Sequence, residues 1–159
     1  MATKKTNAMR LLDSAKINYK VYEYEWSEDD LSGVKVASQI GLPCERVFKT
    51  LVAKGDKTGF CVFCIPVEDE LDLKKAASES GNKRVELIPV KEILGVTGYI
   101  RGGCSPVGMK KVFPTFLDET AVLFETVTVS AGIRGCQLEI KTDDLVRFLE
   151  AKLCPITAN

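Results

Sequence analysis

Histidine is absent from the 159 residues. That removes imidazole triads, the usual imidazole general base and histidine metal ligands together. Chemistry must then come from lysine, a carboxylate, a thiol, a hydroxyl, the backbone or the substrate itself. An excess of one charge is also missing. The 22 Lys and Arg balance the 22 Asp and Glu, so nothing overall advertises nucleic acid, although a segregated basic face stays open. No run approaches the roughly 20 apolar residues of a membrane span. The basic start, residues 1–6, has no apolar stretch after it as a signal peptide would. These absences predict a cytoplasmic protein with no membrane or DNA partner, its six cysteines reduced. What is present, 45% hydrophobic and 28% charged residues, suits one globular domain over residues 1–159.

Periodicity predicts a helix capped by Thr6 or Asn7 with Ala8, Leu11, Leu12 and Ala15 inward, and a strand over 19–25. Ser32 caps a second helix ended by Gly41, and Pro43 opens one further helical turn. Residues 47–53 read as a strand, and the apolar run 60–65 as a central one. Asp72 or Asp69 begins a helix ended near Gly81, and 85–87 is a short strand. One or two helical turns over 89–94 stop at Gly95. Strands follow over 122–129 and 136–140, then a helix capped by Thr142, and the tail from Pro155 is expected to fray. Many strands with few short helices predict an α+β domain, its mixed sheet curled into a partial barrel with short flanking helices.

Two stretches carry candidate chemistry. Residues 99–114 combine Gly102, Gly103, Pro106 and Gly108 with Ser105 and a basic exit at Lys110 and Lys111. Such a loop either brings backbone N–H groups close to a ligand or is a plain turn with two solvated lysines. A second glycine turn, Gly132 to Gly135, follows it. The other stretch is the apolar run around Lys49. A lysine there is either an edge residue reaching for solvent or an ammonium held at the mouth of a site, ready for a phosphate or a developing negative charge. Cys61 and Cys64 have CxxC spacing inside the strand expected over 60–65, which favours packing over a zinc or redox pair. Cys104 lies in the glycine loop but has no histidine to activate it. No cofactor and no metal is expected.

In order along the chain, Val47-Phe48-Lys49-Thr50-Leu51, Leu71-Asp72-Leu73-Lys74-Lys75, Thr97-Gly98-Tyr99-Ile100 leading into residues 102–108, and Val129-Ser130-Ala131-Gly132 with Arg134-Gly135 resemble the bacterial YbaK/EbsC proteins. These are free-standing relatives of the editing domain inserted in bacterial prolyl-tRNA synthetases. The resemblance most suits the branch acting on cysteinyl-tRNA(Pro). It implies a trans-editing deacylase with aminoacyl-tRNA as substrate and prolyl-tRNA synthetase as a possible partner. In that branch the lysine matching Lys49 positions the 3′-terminal nucleotide, and the substrate's own thiol attacks its carbonyl to release a cyclic thiolactone. The resemblance makes Lys49, Gly102 and Gly103 the catalytic set, the glycine backbone donating to the carbonyl oxygen. It places Tyr24, Thr50, Ser105, Pro106, Gly132 and Gln137 around the aminoacyl group. Gln137 stands where the branch usually has aspartate, and Leu31 or Ser32 where an aromatic is usual. Arg101, Lys110, Lys111, Lys74, Lys75 and the N-terminal lysines, Lys4 among them, are candidates for tRNA phosphates.

Three other functions compete with this one. They are a hydrolytic deacylase for another mischarged tRNA such as Ala-tRNA(Pro), a non-catalytic module binding tRNA or a synthetase, and a redox or zinc protein built on Cys61 and Cys64.

Overall fold

The structure, a computed structural model, describes residues 5–158; Lys4, among the expected tRNA contacts, lies outside them. The chain opens with helix α1 (Asn7–Ser14), whose N-cap Thr6 accepts from the Met9 N–H and whose Ala8, Met9 and Leu12 are buried. Strand β1 (Tyr19–Glu23) and helix α2 (Gly33–Ile40) follow, the latter capped by Ser32 and closed by Gly41 in the left-handed region. Pro43 precedes a 3-10 turn, Cys44–Arg46. The hairpin β2 (Phe48–Gly55) and β3 (Gly59–Pro66) leads to α3 (Leu73–Ser80), where Asp72 accepts the Lys74 and Lys75 N–H groups. Then come β4 (Val85–Leu87), α4 (Ile93–Thr97), β5 (Thr115–Asp118), β6 (Thr126–Ser130), β7 (Cys136–Lys141), α5 (Thr142–Leu149) and β8 (Lys152–Cys154).

The strands make two sheets. One is antiparallel, in the order β1-β7-β6. The other is mixed, in the order β4-β2-β3-β5-β8, with β5 and β8 parallel to their neighbours. The expected partial barrel is not formed. Closure needs continuous hydrogen bonding between the outermost strands. Here β6 meets the second sheet at one residue pair, Thr128 with Val47, and each sheet stays open. The α+β class with a mixed sheet and flanking helices holds; the curl does not.

Strand alternation puts two cores on the two faces of β3. Val62 and Cys64 face α1 and the apolar side of the three-stranded sheet, with Leu12, Val127, Val129, Leu138 and Ile140. Cys61, Phe63 and Ile65 face α3, with Ala76, Ala77 and Ile156. The two cysteines of the CxxC pair therefore point to opposite sides of one strand, where they cannot share a ligand. Burial raises both thiols, Cys61 to about 11 and Cys64 to about 12.

Several boundaries differ from the periodicity reading. Residues 119–123 form a 3-10 turn rather than the start of a strand, because Asp118 accepts from the Thr120 N–H and pulls the chain round. Helix α4 runs past Gly95 to end at Gly98, in the left-handed region. Thr142 does not cap α5; its hydroxyl donates to the Phe124 carbonyl instead. The segment after Pro155 is tied down: Ile156 is buried, its carbonyl accepts from the Asp72 N–H, and the Ala158 N–H donates to the Glu70 carbonyl. Among the described residues no helix is long and apolar enough to cross a membrane.

Candidate functional site

Strand β4 pairs with β2 only over Ala53 to Gly55. Between there and the contact of Val47 with β6, no strand among the described residues pairs with the edge of β2. The Ile88 N–H donates to the Val52 carbonyl. The alternation of a ladder then turns the Thr50 N–H and C=O to that same open side. A cleft of about 430 Å³ fills this gap. Its walls are Val47 with residues 48–52 of β2, the start of α2 with Leu31 and Val34, the segment after β4 with Val90 and Ile93, and Arg101, Gly102 and Cys104 of the glycine loop. Ser130 and Gln137, paired across β6 and β7, complete the lining.

Lys49 is half-buried in this cleft. Burial lowers its pKa, with Glu70 and Asp69 opposing the fall. Among the described residues no hydrogen bond or ion pair holds its ammonium. A partly desolvated cation without a fixed partner is disposed to take an anionic or polar ligand group. Thr50 lies beside it, its hydroxyl 3.9 Å from the Cys64 sulfur.

The two glycine turns pack against each other. Gly102 has φ +86° and faces the cleft. Gly103 is buried behind it; a Cβ there would lie 3.0 Å from the Ile133 carbonyl carbon, so only glycine allows the approach. The Gly103 N–H donates to the Ile100 carbonyl at 2.9 Å. That donor is thus used inside the loop, and Gly103 does not line the cleft. Ser105 and Pro106 are buried, with the Ser105 hydroxyl accepting from the Val107 N–H. Gly132, at φ +102°, lies against the Tyr99 ring. These three residues shape the loops from behind and do not line the cleft.

Tyr24 lines a smaller adjoining cavity with Trp26, Leu31, Gly102 and Arg134. Burial raises its phenol, which stays protonated, against hydrogen bonds from the Gly135 backbone and the Gln137 side chain. Burial likewise lifts the Cys104 thiol to about 11.

The basic candidates divide. Arg101 is exposed at the cleft. Lys110 donates to the Gly95 carbonyl, and Lys111 is exposed beside it. Lys74 and Lys75 start α3, on the core side of Phe63 and Ile65, and Lys75 donates to the Thr157 carbonyl. Of these five, only Arg101 lines the cleft. Arg134 was not among the expected site residues. Its Nε donates to the Arg101 carbonyl, its guanidinium pairs with Glu28 and it lies over the Trp26 ring. The signal for it was an arginine set between Gly132 and Gly135.

The family model of the aminoacyl-tRNA editing domain matches residues 31–148. The chain belongs to this editing family, in its YbaK/EbsC branch. The editing domain is 50% identical over 153 residues to EbsC of Enterococcus faecalis, covering 96% of this chain and 93% of that one. The name of that protein gives it as a candidate Cys-tRNA(Pro)/Cys-tRNA(Cys) deacylase. A proline–tRNA ligase of Shouchella clausii is 29% identical over 101 residues, 64% of this chain and 18% of the ligase. A crystal structure described as a candidate trans-editing enzyme for prolyl-tRNA synthetase shares the fold, with a TM-score of 0.83, 22% identity, and coverage of 99% of the editing domain and all of that chain.

Proposed function

We propose that the chain is a trans-editing deacylase that removes cysteine wrongly attached to tRNA(Pro), with residues 1–159 acting as one editing domain in the cytoplasm. Aminoacyl-tRNA is the substrate, and prolyl-tRNA synthetase is the enzyme whose errors it corrects. The observation that carries the chemistry is the absence of a base in the cleft. Its titratable and charged lining groups are Lys49, Arg101 and Cys104. The first two are cations, and the thiol holds its proton to about pH 11. Among the described residues no carboxylate lines the cleft, and the chain has no histidine.

A reaction suited to such a site brings its own nucleophile. The cysteinyl sulfur attacks the adjacent ester carbonyl, a C–S bond forms and the bond to the tRNA 3′ oxygen breaks. The thiol proton ends on that oxygen, leaving free tRNA and a cyclic thiolactone. The protein's part is to hold thiol and carbonyl in reacting geometry, which is where an intramolecular attack gains its rate. Lys49 holds the terminal nucleotide. The open Thr50 N–H and the Gly102 turn face the carbonyl as it gains negative charge. Arg101 takes a phosphate at the mouth, and Lys110, Lys111, Lys74 and Lys75 add to the field that draws tRNA in.

The test is a panel of tRNA(Pro) carrying cysteine, alanine, serine or proline. Rapid loss of cysteine alone supports the reading. Equal loss of alanine favours a water-driven deacylase, and binding without any loss favours a tRNA-binding module.

A further inference from the structure

Gln137 has a polar atom with nothing to do. The residue is 6% exposed, lies near the start of the central strand β7 between Tyr22 of β1 and Ser130 of β6, and lines the cleft. Its Oε1 is buried and has no hydrogen-bond partner among the described residues. A buried carbonyl oxygen left in that condition is costly, so the site is completed by a donor from outside the chain. Tyr24 is the titratable neighbour of the amide. The Gln137 side chain opposes the burial-driven rise of that phenol, as a donor to its oxygen does. Oε1 is the acceptor left for a ligand in the cleft.

The surrounding charges decide which donor fits. Lys49 and Arg101 line the cleft from β2 and the glycine loop. Cys104 and Tyr24 are neutral. From β7 itself, Glu139 is committed to Tyr22, Thr126 and Arg46. Glu23 stands opposite Cys136 on the other face of the sheet. Glu70 and Asp69 act on Lys49 without lining the cleft. Glu28, over the loop, pairs with Arg134.

An ammonium group brought to Gln137 would meet a neutral acceptor, and among the described residues no carboxylate lines the cleft to balance its charge. An uncharged amine keeps the hydrogen bond without burying an uncompensated charge. An α-amino group has a pKa of roughly 7.7–8.0, so its neutral form is at hand near physiological pH. We propose that the cleft takes its aminoacyl group with the α-amine uncharged, one N–H donated to Gln137 Oε1, so that residue 137 selects the charge state of the substrate. This rests on the reading of the cleft as an aminoacyl-tRNA site.

The probes are tRNA(Pro) ending in 3′-amino-3′-deoxyadenosine, acylated through a stable amide with either L-2-aminobutyrate or L-2-hydroxybutyrate. A methyl replaces the thiol in both. Affinity is measured from pH 6 to 8.5 relative to the same tRNA unacylated, which cancels the contribution of the nucleic acid. With the wild-type protein, the gain from the amino probe should rise about tenfold between pH 6 and 7 and level off above the amine's pKa. The gain from the hydroxy probe should stay flat. Gln137→Glu should reverse the first profile, binding the amino probe best at pH 6, and Gln137→Leu should lose most of the gain with both probes.

A wild-type gain that is largest at pH 6 and falls with pH would overturn the inference while leaving the deacylase reading intact. No gain from either probe would overturn the reading of the site itself. The two-probe comparison on the wild-type protein decides even if a variant fails to fold.

Discussion

Arg134 Nε donates to the carbonyl oxygen of Arg101 at 2.9 Å and so ties the two glycine turns into one wall of the cleft. Its guanidinium also covers the Trp26 ring, and a side chain exposed to only 17% holds the arrangement. Arg134→Ala should free the Arg101–Gly102 turn at a cost of about 1.5–3 kcal/mol for a lost charged hydrogen bond. Deacylation kcat/KM should fall, and Arg134→Lys should restore little because lysine lacks the planar fork. Amide hydrogen exchange of residues 101–104 should quicken in the same variant. Unchanged exchange with unchanged activity would remove Arg134 from the site.

Lys49→Met should abolish deacylation without lowering thermal stability at pH 7. The sign follows from the shift. Burial lowers the pKa of Lys49 in the folded state below the ordinary 10.5. The protonated side chain therefore costs stability at neutral pH, and the cost shrinks as pH rises from the lowered value toward 10.5. Paired melting curves and single-turnover rates check this. An active Lys49→Met enzyme would contradict the assignment.

Gly102 and Gly103 should respond differently to alanine. At Gly102 the added Cβ meets flexible side chains, Leu31 and Arg134, at 3.3 Å, and the residue must keep φ +86°. That left-handed strain amounts to about 1–2 kcal/mol. Activity should drop while the fold holds. At Gly103 the Cβ meets the Ile133 and Arg134 backbone at 3.0–3.1 Å, so the two turns must part. Gly103→Ala should therefore lose more activity and more stability than Gly102→Ala, measured by deacylation and denaturant midpoint.

Cys104 should be a bystander in the chemistry. With its thiol at about 11, only about one in a thousand is ionised at pH 8. Alkylation by iodoacetamide at that pH should be slow, and Cys104→Ala should stay active. No inflection in the pH–rate profile below about pH 10 should disappear in that variant. A covalent adduct on Cys104 during turnover would reverse this conclusion.

Local signals were the legible ones. The caps at Thr6, Ser32 and Asp72 and the closing Gly41 and Gly81 mark helices by chemistry within four residues of each end. The run that becomes β3 reads as a strand because it is buried on both faces. Strand β5 escapes because it is four residues long, follows a proline and pairs in parallel with a strand some fifty residues earlier. Strand β8 depends on β5 in turn. The open edges of the sheets were equally hidden, since nothing local says where pairing stops.

At the site, Lys49 is visible as a charge in an apolar run, and the cleft forms around it. Ser105 and Pro106 look like ligand contacts in a glycine loop, yet the loop turns them inward. The orphaned oxygen of Gln137 is a property of three strands together, and no single stretch of sequence carries it.

The most direct test of the central claim is the identity of the first product released from Cys-tRNA(Pro) in a single turnover, quenched rapidly with an amine that traps thiolactones. Substrate-thiol attack predicts that trapped cysteine thiolactone appears at the rate at which acylated tRNA disappears. Free cysteine appearing at that rate from the earliest time point, with no trapped adduct, would mean that water attacks the ester and would contradict the account.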